Sequence, residues 1–482
     1  MAGADGRSTS LSAANRVGPT SAVLVSRALR LVFGILVTVL ILHWSPVDSQ
    51  AQETDGALPI DHYRLDNGLE VLVVQNHAAP IATVLVAVRG GAAMQAEGEE
   101  GLAKLMEHVI FRSLGDAFAR EASKLRAYSQ GLTGLESVCY YLVLPSENAN
   151  KGIRLLARLI SEADFERDDL EDERELLLDE LARARSDPER QLGREVSRYL
   201  WGTAWYATDM SGDSSTLRGL TVADLGRVYD RFYVPNNAAL IITGDVDPAS
   251  VFQAAKDHFG DWQPRPDTFD PDSFSAIRPL AASRAVLLSG IVPDVTIMLA
   301  LSGPDIRDNP SSTYAADALF GIINDPLSSF QERLVGSGLF ESVEASFLTL
   351  RGVGAVTIVA RSTPPAATIA LPALLAELDS LHTLAGVTEA DLAVEKKRVE
   401  VDRVLDMELT EFVAPEIALW WAGPGLGYFA DYHEKFAALT LDDLRSFSER
   451  FLADQPLVMG ILAPPDAAAD LEALLYGPEG DP

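Results

Sequence analysis

The feature that most limits how this chain can fold is an internal echo. Leu220-Thr221-Val222-Ala223-Asp224-Leu225 returns 219 residues later as Leu439-Thr440-Leu441-Asp442-Asp443-Leu444. At the same offset Asp230-Arg231-Phe232 is answered by Glu449-Arg450-Phe451, and each copy runs into an apolar, strand-like segment, 238–243 and 457–462. Matching text at matching places near the end of each half points to a duplicated domain. The length of 482 residues suits this, since domains average roughly 150 residues and often run longer. Between the copies, residues 263–279 hold Pro264, Pro266, Pro271 and Pro279 and little periodicity, as a linker does. The reading is α+β: two homologous sheet-plus-helix domains joined by a proline-rich linker.

Local patterns fill in the elements. Tyr63 to Val74 reads as strand, Asn67-Gly68 turn, strand, and 81–88 as a further strand. Residues 98–111 have helical spacing, with Leu102, Leu105, Met106 and Val109 on one side. A second helix spans 149–163. An acidic one runs from about Leu170 to the Ser186-Asp187-Pro188 break. The hydrophobic share of 48% supports a real core. The formal charge of −31 repels phosphate backbones and argues against nucleic acid as a partner. Cys139 is the single cysteine, so no disulfide forms within the chain, and its apolar neighbours make it a buried thiol.

The N-terminus reads as an address. Arg7, Arg16, Arg27 and Arg30 precede an apolar run at 31–42, and Ser49-Gln50-Ala51 follows with small residues where a signal peptidase reads. The run is shorter than the roughly 20 residues a spanning helix needs. The expectation is a signal peptide at 1–51, a mature start near Gln52, no stable membrane span after cleavage, and a periplasmic or secreted protein. An uncleaved anchor is the alternative.

The chemistry lies on the helix that reads Gly101-Leu102-Ala103-Lys104-Leu105-Met106-Glu107-His108-Val109-Ile110-Phe111. Alone, a Glu-His pair on a helix is an ordinary surface feature. Peptide hydrolysis by zinc needs three protein ligands, an open position for water and a carboxylate base. His-x-x-Glu-His on one helix face supplies two ligands with the base between them. The segment resembles that motif in the pitrilysin/insulinase zinc-peptidase family, where it reads Gly-Leu-Ala-His-x-x-Glu-His-x-x-Phe. Further stretches are similar to the family: Leu65-Asp66-Asn67-Gly68-Leu69 to its first hairpin and Gly90-Gly91 to the turn before the motif. Thr133 to Tyr141 is similar to its substrate-side strand, and Glu173-Arg174-Glu175-Leu176-Leu177-Leu178-Asp179-Glu180 to the helix that carries its last zinc ligand. Tyr233-Val234-Pro235-Asn236-Asn237 and Thr243-Gly244-Asp245-Val246-Asp247 match the close of its first domain.

The resemblance implies a two-domain clamshell around a chamber, with peptidase-like domains at 52–262 and 280–470, the linker at 263–279 and a tail at 471–482. Carried over by position, Glu107 is the general base, His108 the second metal ligand and Glu180 the third. Lys104 stands where the first histidine belongs. Lysine is protonated near neutral pH and offers no lone pair to a metal. Its charge, three and four residues from Glu107 and His108, can instead offset the carboxylates of Glu107 and Glu180. Arg333 and Glu341 fall at the substrate-holding positions of the second domain, with glutamate in place of the family's tyrosine. Gln130-Gly131 stands where the family has Asn-Ala. The implied protein is an exported, non-catalytic subunit, regulatory or substrate-binding, working with peptides and an active peptidase of the same family in a heterodimer. No cofactor is expected, unless the degenerate site still binds zinc. A working metallopeptidase with an altered site and a peptide-binding scaffold without a peptidase partner are the alternatives.

Overall fold

The computed structural model describes residues 60–202, 210, 212–266, 280–307, 309–352, 354–408 and 410–476. The expected signal peptide and most of the linker, 267–279, lie outside the described residues.

The first half is built on a six-stranded sheet. Strands β1 (Ile60–Arg64) and β2 (Glu70–Gln75) form the antiparallel hairpin that Asn67-Gly68 announces. Gly68 takes φ 93°, which glycine adopts without the Cβ clash other residues meet. Asn67 ties the turn to distant chain: its amide donates to Phe259 O at 2.7 Å and Trp262 O at 3.0 Å. Strands β3 (Ile81–Arg89), β4 (Tyr128–Thr133), β5 (Ser137–Pro145) and β6 (Ala238–Gly244) complete the order β1-β2-β6-β3-β5-β4, in which β2 and β6 alone are parallel. Every residue of β6 is buried, as its unbroken apolar text requires of a strand covered on both faces. Helices α1 (Leu102–Ser113), α2 (Asp116–Lys124), α3 (Ala149–Ser161), α4 (Arg167–Arg185), α5 (Pro188–Trp201), α6 (Ser214–Gly219), α7 (Val222–Phe232) and α8 (Pro248–Phe259) belong to this half. The expected substrate-side strand from Thr133 to Tyr141 is two strands: β4 ends at Thr133, and the chain turns before β5 begins at Ser137.

The second half repeats the plan. Strands β7 (Arg284–Ser289), β8 (Val295–Gly303), β9 (Ser342–Leu348), β10 (Gly354–Ser362) and β11 (Leu457–Ala463) run in the order β7-β11-β8-β10-β9, again with one parallel pair, β7 and β11. Its helices are α9 (Pro310–Ile323), α10 (Ala367–Ser380), α11 (Glu389–Glu408), α12 (Thr410–Ala422), α13 (Leu426–Ala438), α14 (Leu441–Phe451) and α15 (Pro465–Tyr476). The sequence echo marks the starts of α7 and α14. In each, the threonine accepts from the N–H of the aspartate three residues on, and that carboxylate accepts from the threonine N–H.

The halves exchange helices. From the second half, α12 lays Val413, Ala414, Ile417, Ala418 and Trp421 against Leu72, Leu85, Ala87, Cys139 and Ile241 of the first sheet. From the first half, α5 lays Leu192, Val196 and Leu200 against Ala300, Val458 and Leu462 of the second. The approach is close enough that a Cβ on Gly460 would meet Val196 Cγ2 at 2.4 Å. Polar contacts finish the seam. Trp421 Nε1 donates to Glu70 Oε1 at 2.9 Å, the Arg89 guanidinium lies 3.7 Å over the Trp421 ring, and Arg351 N–H donates to Glu136 Oε1 at 3.0 Å. Cys139 is buried beneath α12, and desolvation pushes its thiol up to about 12.

Candidate functional site

Helix α1 has no serine, threonine or aspartate at its start. Gly101, at φ 95°, turns the chain into the helix, and the Gln95 side-chain oxygen accepts from the N–H groups of Gly101 and Ala103, each at 3.0 Å. Leu102, Leu105, Met106, Val109 and Ile110 anchor the helix in the core, which leaves Lys104, Glu107 and His108 directed toward α4 and β4.

Glu107 is held on all sides. Lys104 Nζ donates to Oε2 at 2.8 Å and to Oε1 at 3.1 Å, and Thr133 Oγ1, at the end of β4, donates to Oε2 at 2.5 Å. The Glu107 side chain is only 6% exposed, against 21% for Lys104. A carboxylate so buried needs a charge partner, and Lys104 is that partner. His108 turns the other way: Nδ1 lies 3.2 Å from Glu173 Oε2, while Arg112 Nε donates to Glu173 Oε1 at 2.6 Å. The carboxylate that meets the histidine is therefore Glu173. Glu180 is half-buried on the same α4, seven residues or about 10 Å further along the axis. The charge of Lys104, expected to be shared between Glu107 and Glu180, falls on Glu107. No local signal in the sequence singles out Thr133, Glu173 or Arg112. Thr133 and Glu173 each lie inside a stretch resembling the family, and in the helix the resemblance gives a role to the last glutamate, Glu180.

In the second half Arg333 sits in a π-helical turn, 332–336, and gives Nε and Nη2 to the two oxygens of Glu377 on α10, each at 2.7 Å. Glu341 is exposed just before β9, and its N–H donates to Arg361 O at 2.8 Å. These contacts lie within the second half and do not join Arg333 or Glu341 to α1.

The donors at this position do not fit a zinc ion. An ammonium stands at the position that the resemblance gives to a ligand, both oxygens of Glu107 accept hydrogen bonds, and among the described residues no three His, Cys, Asp or Glu side chains stand close enough together to hold a metal. The strand beside the site is nevertheless open. Among the described residues β4 is an outer strand of its sheet that pairs with β5 alone, and it exposes Tyr128 and Leu132, so its outer edge can accept an extended peptide.

Comparison with known proteins agrees with the two-half fold. Residues 70–211 match the model described as "Insulinase (Peptidase family M16)", and residues 219–399 the one described as "Peptidase M16 inactive domain". The chain belongs to peptidase family M16. It is 23% identical over 412 residues to the zinc protease PqqE of Helicobacter pylori, covering 83% of this chain and 92% of that one. It is 26% identical over 251 residues to subunit 1 of the mitochondrial cytochrome b-c1 complex of Bos taurus, a match that spans about half of each protein, 50% and 51%. The crystal structure of a protease from Helicobacter pylori superimposes with a TM-score of 0.76 at 21% identity, over 84% of this chain and 99% of that one. The paired sheet-plus-helix halves are thus the two-domain M16 clamshell fold. Among the described residues no helix is long and apolar enough to cross a membrane.

Proposed function

We propose that this M16 chain is an exported, non-catalytic subunit that holds or presents peptides for an active peptidase of the same family. One observation carries the reading: at the position of the first zinc ligand stands Lys104, and it is spent on the would-be base, Glu107, at 2.8 Å. A carboxylate already paired with an ammonium and a hydroxyl is a weaker base toward a metal-bound water. Glu107, His108 and Glu180 are in this reading remnants of a metal site. Arg333 and Glu341 are remnants of the substrate side, and residues 52–262 and 280–470 are two peptidase-like domains about the 263–279 linker. The outer edge of β4 supports peptide binding, and the relation to a subunit of the cytochrome b-c1 complex supports a role inside an assembly. The charge of −31 favours basic peptides or a basic docking face by raising encounter rates. Export is read from the arginine-rich leader, and no resident cofactor is assigned.

The rival is a working metallopeptidase using His108 and Glu180, favoured by the relation to a protein named a zinc protease. Metal analysis of the purified chain, with a cleavage assay on an unstructured peptide, separates the two. The expected result is well under one zinc per chain and no cleavage. Stoichiometric zinc with chelator-sensitive cleavage sinks the proposal. Co-expression with an intact relative from the same genome then tests the partnership: co-elution with enhanced cleavage is expected, and separate elution with unchanged cleavage leaves a scaffold role.

A further inference from the structure

Glu107 does not lie against β4 by the pull of Lys104 alone; the strand makes room for it. Gly131 is in the interior of β4, where glycine weakens a strand. It is not among the glycines with positive φ, so its backbone would accept any residue. What it would not accept is volume. A Cβ built on Gly131 would stand 2.4 Å from Glu107 Oε1 and 2.7 Å from both Cγ and Cδ, well inside van der Waals contact. The glutamate side chain fills the space an alanine methyl would take. It cannot simply swing aside, because it is buried and tied to Lys104 from one side and Thr133 from the other.

We infer that Gly131 is a positioning residue: its missing side chain is the socket that seats Glu107 on the edge strand. Lys104 and Gly131 are then two parts of a single replacement, in which an internal ammonium–carboxylate pair, lodged against β4, stands where the family resemblance places a metal site. The two departures from the family's text, lysine for histidine and glycine for alanine, are coupled through the side chain of Glu107. Restoring histidine at position 104 alone leaves Glu107 in the socket, held by Thr133. This deepens the non-catalytic reading above and rests on it for its meaning, while its test needs neither metal nor activity.

The test is the thermal unfolding of the full chain carrying Gly131→Ala in two backgrounds, the natural one and Lys104→Met/Glu107→Ala. At a strand position with permissive backbone, alanine for glycine stabilises by narrowing the unfolded ensemble. With the ion pair present, Gly131→Ala should lower the midpoint by a few degrees, because the methyl evicts Glu107. With the pair removed, the same change should raise it. An equal fall in both backgrounds, or a rise in the natural one, overturns the socket. If the doubly substituted background does not fold, Glu107→Asp serves instead, since it keeps the charge and withdraws the carboxylate by one methylene. There the cost of Gly131→Ala should largely vanish, and an undiminished cost overturns the proposal. Metal analysis of the natural chain keeps the two readings apart. A failed cycle in a zinc-free chain removes the socket only, whereas stoichiometric zinc removes the functional reading.

Discussion

Lys104 and Glu107 are three residues apart, a spacing that brings side chains together on any helix, and on an exposed surface such a pair contributes little. Here the carboxylate is buried, so the same pair matters for a different reason: removing the ammonium leaves a buried charge with no countercharge, met by the Thr133 hydroxyl. Lys104→Met should therefore destabilise the chain by about 3 kcal/mol. Lys104→Met/Glu107→Leu, which removes both charges and fills the space, should return to within about 1 kcal/mol of the natural chain. Urea midpoints at constant m-value check this, and a Lys104→Met variant as stable as the natural chain contradicts it. His108 belongs to a separate cluster. Its partner, Glu173, is shared with Arg112, whose guanidinium pKa is raised by that hydrogen bond and by the carboxylate's charge.

At the scale of elements, the duplication runs deeper than the echo in the text. Arg174 on α4 donates to Leu220 O at 2.6 Å, and Lys396 on α11 donates to Leu439 O at 2.6 Å, so each long helix grips the equivalent carbonyl before the capping box. The pairing of 174 with 396 has an offset of 222, against 219 for the carbonyls, and a search at one fixed offset passes over it. In the second half the Asp317 carboxylate of α9 accepts from the Tyr432 hydroxyl of α13 at 2.8 Å. Burial raises the Asp317 pKa to about 7; the Tyr432 hydrogen bond works against this, and the charge of Glu395 adds to it. The folded chain thus keeps a proton that the unfolded chain loses above its ordinary 3.8, so this group's contribution to stability declines as pH rises from about 4 to about 7. The slope is at most about 1.4 kcal/mol per pH unit. Asp317→Asn should flatten the pH dependence in that window; an unchanged slope by urea unfolding rules the effect out.

For the whole molecule, the exchange of α5 and α12 means that neither sheet is fully covered by its own half. Trp421 and Cys139, from opposite halves, share a core. Separating the halves would expose both seams, so they should behave as one cooperative unit whatever joins them. A protease site inserted between residues 267 and 279 and then cut should yield two fragments that still co-elute on size exclusion and unfold in one transition. Fragments that separate in native buffer contradict the interlock. The same seam bears on partnership, since an apolar surface already used between halves is not available to a partner, and docking must use other faces.

Much of this was legible in the text. Periodicity located α1 and the β1–β2 hairpin to within a few residues, and the echo located α7, α14 and the strands after them. These are local matters: a helix face or a capping box is decided by residues within a turn or two of one another. Which carboxylate meets His108 was not local. Glu173 and Glu180 are seven apart and share a helix face, so only the packing of α4 against α1 selects Glu173. The break between β4 and β5, the empty volume at Gly131 and the exchange of α5 and α12 depend likewise on residues from tens to hundreds of positions away. The sequence by itself determined that the chain is two copies of one plan, with a lysine one helical turn before Glu107 and His108. The tertiary structure decided what that lysine holds, because a buried carboxylate takes whatever partner the packing brings within reach.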